Sequence, residues 1–142
     1  MKKIFFMGAI LASAVSFTSC SGDDDSNNGT IVGKWNFSTE KVTFGGQTVS
    51  EGAYSDNEEG CNKDYLEFTE TTAVNGDYFG TDCDFESYSS TYTRSGNTLT
   101  VTEDGDVSTV EVVSVNSNTL VLRTTEATEA GNINYETTLT KA

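Results

Sequence analysis

From residue 31 to the end of the chain, apolar side chains recur at alternate positions in short stretches divided by turn residues, without a sustained helical repeat. Ile31, Gly33, Trp35 and Phe37 share one face of a first strand over 31–44, and Val42 and Phe44 resume after a polar middle. Gly45-Gly46 turns that strand, and a polar segment over 50–62 separates it from a short strand over 65–68, where Leu66 and Phe68 share a face. The alternation predicts further strands over 73–79, 86–94, 98–103, 107–115, 119–125 and 132–140. Ser95-Gly96-Asn97, Asp104-Gly105-Asp106, Asn116-Ser117-Asn118 and Ala130-Gly131 supply tight connections between them. Eight strands with short links favour sequential antiparallel neighbours. Closing them into an up-and-down β-barrel removes the two edges that an open sheet would expose, so the expected fold is an all-β, eight-stranded antiparallel barrel. A two-sheet sandwich is the rival, and it needs long cross-connections that this spacing mostly lacks.

The first residues follow a different pattern. Lys2 and Lys3 lead into an apolar run over 4–17, then Thr18-Ser19-Cys20. A positive start, a short apolar run and small residues describe a secretory signal, and the run is shorter than the ~20 residues that span a bilayer. Phe17-Thr18-Ser19-Cys20 resembles the bacterial lipobox, with Phe17 standing where an aliphatic residue is usual. The resemblance implies that Cys20 becomes the lipidated first residue of the mature protein. Ser21-Gly22-Asp23-Asp24-Asp25 is similar to the signal that exports lipoproteins of Bacteroidetes-type bacteria to the outer face of the outer membrane. A solvated stalk on a periplasm-facing protein is the alternative. The expected organisation is a signal over 1–19, a lipidated acidic linker over 20–30 and one domain over 31–142.

Charge narrows the partners. The formal net charge is −14, and loss of Lys2 and Lys3 with the signal takes it to −16. Nucleic-acid recognition rests on a positive footprint that such a surface lacks. The same charge repels anionic membranes, so the lipid would hold the protein without electrostatic help. Of the three cysteines, Cys20 carrying lipid leaves Cys61 and Cys83 as one pair. A secreted protein permits that bond. Metal ligation or a reactive thiol are the competing readings, and two thiols without a histidine make a poor zinc set.

Catalytic constellations are thin. The chain has no histidine, the commonest general base. Asp82, Asp84 and Glu86 surround Cys83, with Glu58 and Glu59 in the preceding loop, but their spacing is not that of an EF-hand, which leaves calcium binding open. No cofactor is expected, and an enzyme is not. Trp35, near the start of the first strand, is expected to plug one end of the barrel. Arg94 and Arg123 are read first as solvated strand residues. Tyr88 and Tyr92 share a face, as do Ile133 and Tyr135, so Trp35, Tyr88, Tyr92 and Tyr135 are read first as core side chains, with interior contact to a ligand as the alternative.

Gly33-Lys34-Trp35 matches the Gly-x-Trp of lipocalins. Three further stretches, 61–68 with its Cys-x-x-Asp, 95–101 and 118–122, resemble the lipocalin-like domain of many Bacteroidetes lipoproteins. The similarity runs from about 31 to 141. There is no Thr-Asp-Tyr triplet of the kind that marks larger lipocalins. The resemblance implies, as the alternative for Arg94 and Arg123, that one of them lies over the Trp35 ring, and it implies a barrel that either fills itself with side chains or holds one small ligand. Two functions follow from it: capture of a small apolar or amphipathic molecule, or a solid structural module that contacts a protein of the cell envelope.

Overall fold

The computed structural model describes residues 29–142. The elements are β1 (Gly33–Phe44), β2 (Gln47–Ala53), β3 (Tyr65–Phe68), β4 (Thr72–Phe79), β5 (Asp84–Ser95), β6 (Thr98–Glu103), β7 (Asp106–Val115), β8 (Thr119–Thr128) and β9 (Gly131–Lys141). All neighbours are antiparallel, in the order β2-β1-β3-β4-β5-β6-β7-β8-β9, and β1 also pairs with β9. Eight strands, β1 and β3 to β9, therefore close a barrel, as the alternation and short turns predict. At the β6–β7 hairpin, Asp104 and Gly105 both take positive φ, 50° and 92°, the conformation that suits a two-residue turn between twisted strands.

The ninth strand corrects the sequence reading, which left the start of the 50–62 segment as a polar loop. β2 is exposed along its whole length and buries no apolar face, so it carries no alternation to detect. Its backbone ladder with β1, from Phe44↔Gln47 to Thr39↔Ala53, is what holds it extended. β2 and β3 lie end to end on one edge of β1, β3 covering Gly33 to Asn36. The loop between them is stitched to β1: the Tyr54 N–H donates to Ser38 O (3.0 Å) and the Phe37 N–H to Asp64 O (2.9 Å). Asn57 completes the seam, its Nδ2 donating to Phe37 O and its Oδ1 accepting from the Asp64 N–H, both at 3.0 Å.

A register shift in β1 between Phe37 and Thr39 accounts for the polar middle of that strand. The extra residue at Ser38 reverses the alternation, so odd-numbered Trp35 and Phe37 and even-numbered Val42 and Phe44 face the same interior. β7 shifts in the same way between Val112 and Ser114, which keeps Val112 and Val115 both buried.

The apolar core occupies one end of the barrel, where Trp35, Leu99, Val112, Leu120 and Leu139 are the most deeply buried side chains. The Trp35 Nε1–H donates to Ile31 O at 2.7 Å, satisfying the indole inside the core. The cation over its ring is Lys141, with Nζ 4.2 Å from the centroid. This corrects the lipocalin-implied alternative of an arginine over the ring. Arg94 donates to Gly96 O and, through Nη1, to Gly29 O at 2.7 Å, while Arg123 lies on the outer wall. Gly33 explains its place in the motif: a Cβ there would meet Lys141 Nζ at 2.3 Å, and its φ of 124° strains any other residue.

Candidate functional site

Alternation along the strands divides the barrel's inner face into two halves. At the closed end the inner positions are apolar and buried. Toward the open end the register places Val42, Phe44, Ile133 and Tyr135 of β1 and β9 on one inner wall. Asp77, Glu86 and Tyr88 of β4 and β5 occupy the other. Although they face inward, Phe44, Tyr88 and Tyr135 are each 39% exposed, so solvent enters this end.

The four aromatic residues read as core, or alternatively as ligand contacts, fall into two groups. Trp35 and Tyr92 belong to the core; the Tyr92 hydroxyl donates to Thr69 O, and its ring meets Phe68 edge-on at 5.5 Å. Tyr88 and Tyr135 stand at the open end, donating to Glu86 and Glu126 respectively. Their partners hold both phenols above the usual tyrosine range: for Tyr88 the Glu86 hydrogen bond dominates, and for Tyr135 burial leads, with Glu126 adding to it.

Between the halves lies a buried acidic floor. Asp64 is buried, and its Oδ1 accepts from the Tyr78 N–H at 2.7 Å, taking the ladder position that β3 no longer fills above Tyr65. Burial lifts its carboxyl from 3.8 to about 6; the Tyr78 bond opposes this, and the Asp77 and Asp56 carboxylates reinforce it. Tyr54, 6% exposed, stacks on Phe37 with ring centroids 4.4 Å apart. Burial first, then the fields of Asp56, Asp64, Asp77 and Glu40, push its phenol far above the ordinary range. The register pairs Glu40 with inward-facing Thr137, on the same inner face. The sequence reading gave neither Tyr54 nor Glu40 a role. A lone aromatic inside an acid-rich polar loop was the available signal for Tyr54.

Cys61 and Cys83 form the expected disulfide, with Cα atoms 5.5 Å apart. It ties the loop carrying Tyr54 and Asp64 to the β4–β5 turn at the open end. Cys20 lies outside the described residues. Asp82, Asp84 and Glu86 around Cys83 are all exposed, with Asp84 and Glu86 on one face of β5. Among the described residues no three Asp, Glu or Cys side chains are grouped to hold a metal ion.

The outer wall carries two further features. Glu111, Arg123, Glu136, Lys41 and Glu51 stand in register across β7, β8, β9, β1 and β2, alternating in sign. Arg123 contacts Glu136 at 2.9 Å and Glu111 at 3.2 Å. On the opposite side Lys34 Nζ sits 3.6 Å from the Tyr65 ring centroid, and Tyr65 and Tyr78 pack against Phe85. Gly76 gives the Tyr65 ring its space, since a Cβ there would meet the ring at 2.3 Å.

Comparison with known proteins places this barrel. A structure described as a lipocalin-like protein from Bacteroides uniformis aligns with a TM-score of 0.54 at 10% identity, covering 79% of this chain and 98% of its own. A protein from Bacteroides eggerthii aligns at 0.52 and 10% identity, covering 78% and 98%. H1 crustacyanin from the lobster Homarus americanus aligns at 0.50 and 12% identity, covering 83% of this chain and 64% of its own. At these identities the likeness is one of fold. No curated protein matches the chain. The family model of the lipocalin-like domain matches residues 31–122, the stretch that runs from the buried Ile31 through Gly33-Lys34-Trp35 to the core residue Leu122, and the chain belongs to that family.

Proposed function

We propose that this protein is a lipid-anchored lipocalin-like barrel of the outer membrane that captures a small amphipathic molecule at its open end. The observation that carries this reading is the 39% exposure of Phe44, Tyr88 and Tyr135, side chains that face into the barrel. A barrel filled along its whole length would cover them. An apolar wall opposite a polar one suits a molecule with both characters, and the packed closed end limits its size. The disulfide supports folding outside the cytoplasm, and the lipobox-like segment ending at Cys20 supports an anchor. The acidic stretch after Cys20 favours the cell surface over the periplasmic face. The chain has no histidine, and Glu86, Glu126 and Asp64 are paired with phenols and backbone rather than with a nucleophile, so the site is read as binding and not catalytic.

Native mass spectrometry of protein gently extracted from its own cells tests the binding function. A retained small-molecule adduct, lost on unfolding, is the expected result; a protein that is always bare favours the solid structural module. The Cys20→Ala variant is expected to leave the envelope fraction, and its continued sedimentation with membranes would contradict the anchor.

A further inference from the structure

We propose that the molecule taken at the open end carries an organic ammonium group, which sits among Glu40, Asp64 and Asp77 and donates a hydrogen bond to the Tyr54 hydroxyl. This rests on the reading that the open end binds an amphipathic small molecule, and it names that molecule's polar half. The register puts Glu40 of β1 and Asp77 of β4 on the inner face, and their fields and that of Asp64 all reach Tyr54. The basic side chains lie elsewhere: Lys34 covers Tyr65 outside, Lys41 and Arg123 belong to the outer ladder, and Lys63 is exposed. Lys141 and Arg94 serve the closed end.

The second observation is Tyr54 itself. Its hydroxyl is buried and makes no hydrogen bond to any described residue, although its ring is fixed by the stack on Phe37. A buried hydroxyl ordinarily has a partner, and one set among carboxylates without a partner is arranged to accept from a donor that arrives later. The donor must be a cation to suit its surroundings. A metal ion donates no hydrogen bond, and no three of the described acidic side chains are grouped to hold one, so the cation that suits Tyr54 carries its own N–H bonds. An ammonium supplies three of them. Its hydrocarbon remainder would lie toward Val42, Phe44 and Ile133. The same field repels carboxylate and phosphate ligands.

Isothermal titration of the mature protein with octylamine, octanol and octanoate near neutral pH tests the assignment. Octylammonium is expected to bind at least about tenfold more tightly than either of the others, the scale of one well-made charged contact. Tyr54→Phe keeps the stacked ring, and Asp77→Asn keeps the shape of the side chain; each is expected to weaken octylammonium about tenfold while thermal unfolding confirms the fold. Should Tyr54→Phe fail to fold, Asp77→Asn and Glu40→Gln carry the test. Octanol or octanoate binding as tightly as octylammonium overturns the ammonium assignment and leaves the binding function standing. Octylammonium affinity unchanged by every variant also overturns it, since the cation would then be held by the acidic surface. No binding by any of the three probes overturns it together with the apolar half of the site.

Discussion

Asp64 places one carboxyl oxygen where β3 would have offered a backbone acceptor to Tyr78, and the burial needed for that duty raises its proton affinity. Its folded value of about 6 lies above the unfolded 3.8, so the folded protein holds an extra proton between them. The resulting stabilisation is complete below the lower value and is lost as the pH rises through the upper one. Asp64→Asn keeps an acceptor for Tyr78 without the charge. Its melting temperature is expected to match that of the natural protein near pH 4 and to exceed it increasingly toward pH 7, with Asp77, Asp56, Tyr54 and Glu40 still present; a difference independent of pH would refute the assignment. Gly33 offers a second residue-scale test. Gly33→Ala must adopt a positive φ and displace Lys141 from Trp35, and denaturant unfolding is expected to show a loss of about 1 kcal/mol or more. Trp35 could be read as a plug from its position alone. Lys141 could not be matched to it, because their meeting depends on the closing pair β1–β9.

Among the elements, the hairpins with strict alternation were legible: Leu99 and Val101 with Val110, and Leu120 and Leu122 with Leu139, bury one face and expose threonines on the other. β2 was not legible, because backbone pairing alone extends it. The bulge at Ser38 was visible only as a polar interruption whose phase change acquires meaning once β9 is its partner. The candidate site was less legible than the fold for a related reason. Tyr54, Asp64, Asp77 and Glu40 come from separate segments, and nothing local marks them as neighbours. The disulfide holds two of those segments together. It closes a separation of 22 residues, and in the chain-entropy picture it stabilises by about 3 kcal/mol. Replacing Cys61 and Cys83 together with alanine is therefore expected to lower the unfolding free energy by about that amount. It is also expected to speed hydrogen exchange most at Tyr54 to Asp64; uniform change across the barrel would argue against a local clasp.

At the scale of the whole molecule, both chain ends described lie at the closed end. Gly29 O is held by Arg94, and the Ala142 N–H donates to Lys34 O at 3.1 Å. If the chain is exported to the surface as proposed, protease treatment of intact cells is expected to remove the domain; protection until the envelope is broken would place it on the periplasmic side. The stretch from Cys20 to Gly29 reaches at most about 30 Å when extended. With the lipid anchor proposed at Cys20, a chain entering beside Trp35 would turn the open end away from the bilayer. Cargo of the proposed site would then have to be caught from the surrounding water rather than drawn sideways out of the lipid leaflet, which favours compounds soluble enough to diffuse to the cell on their own.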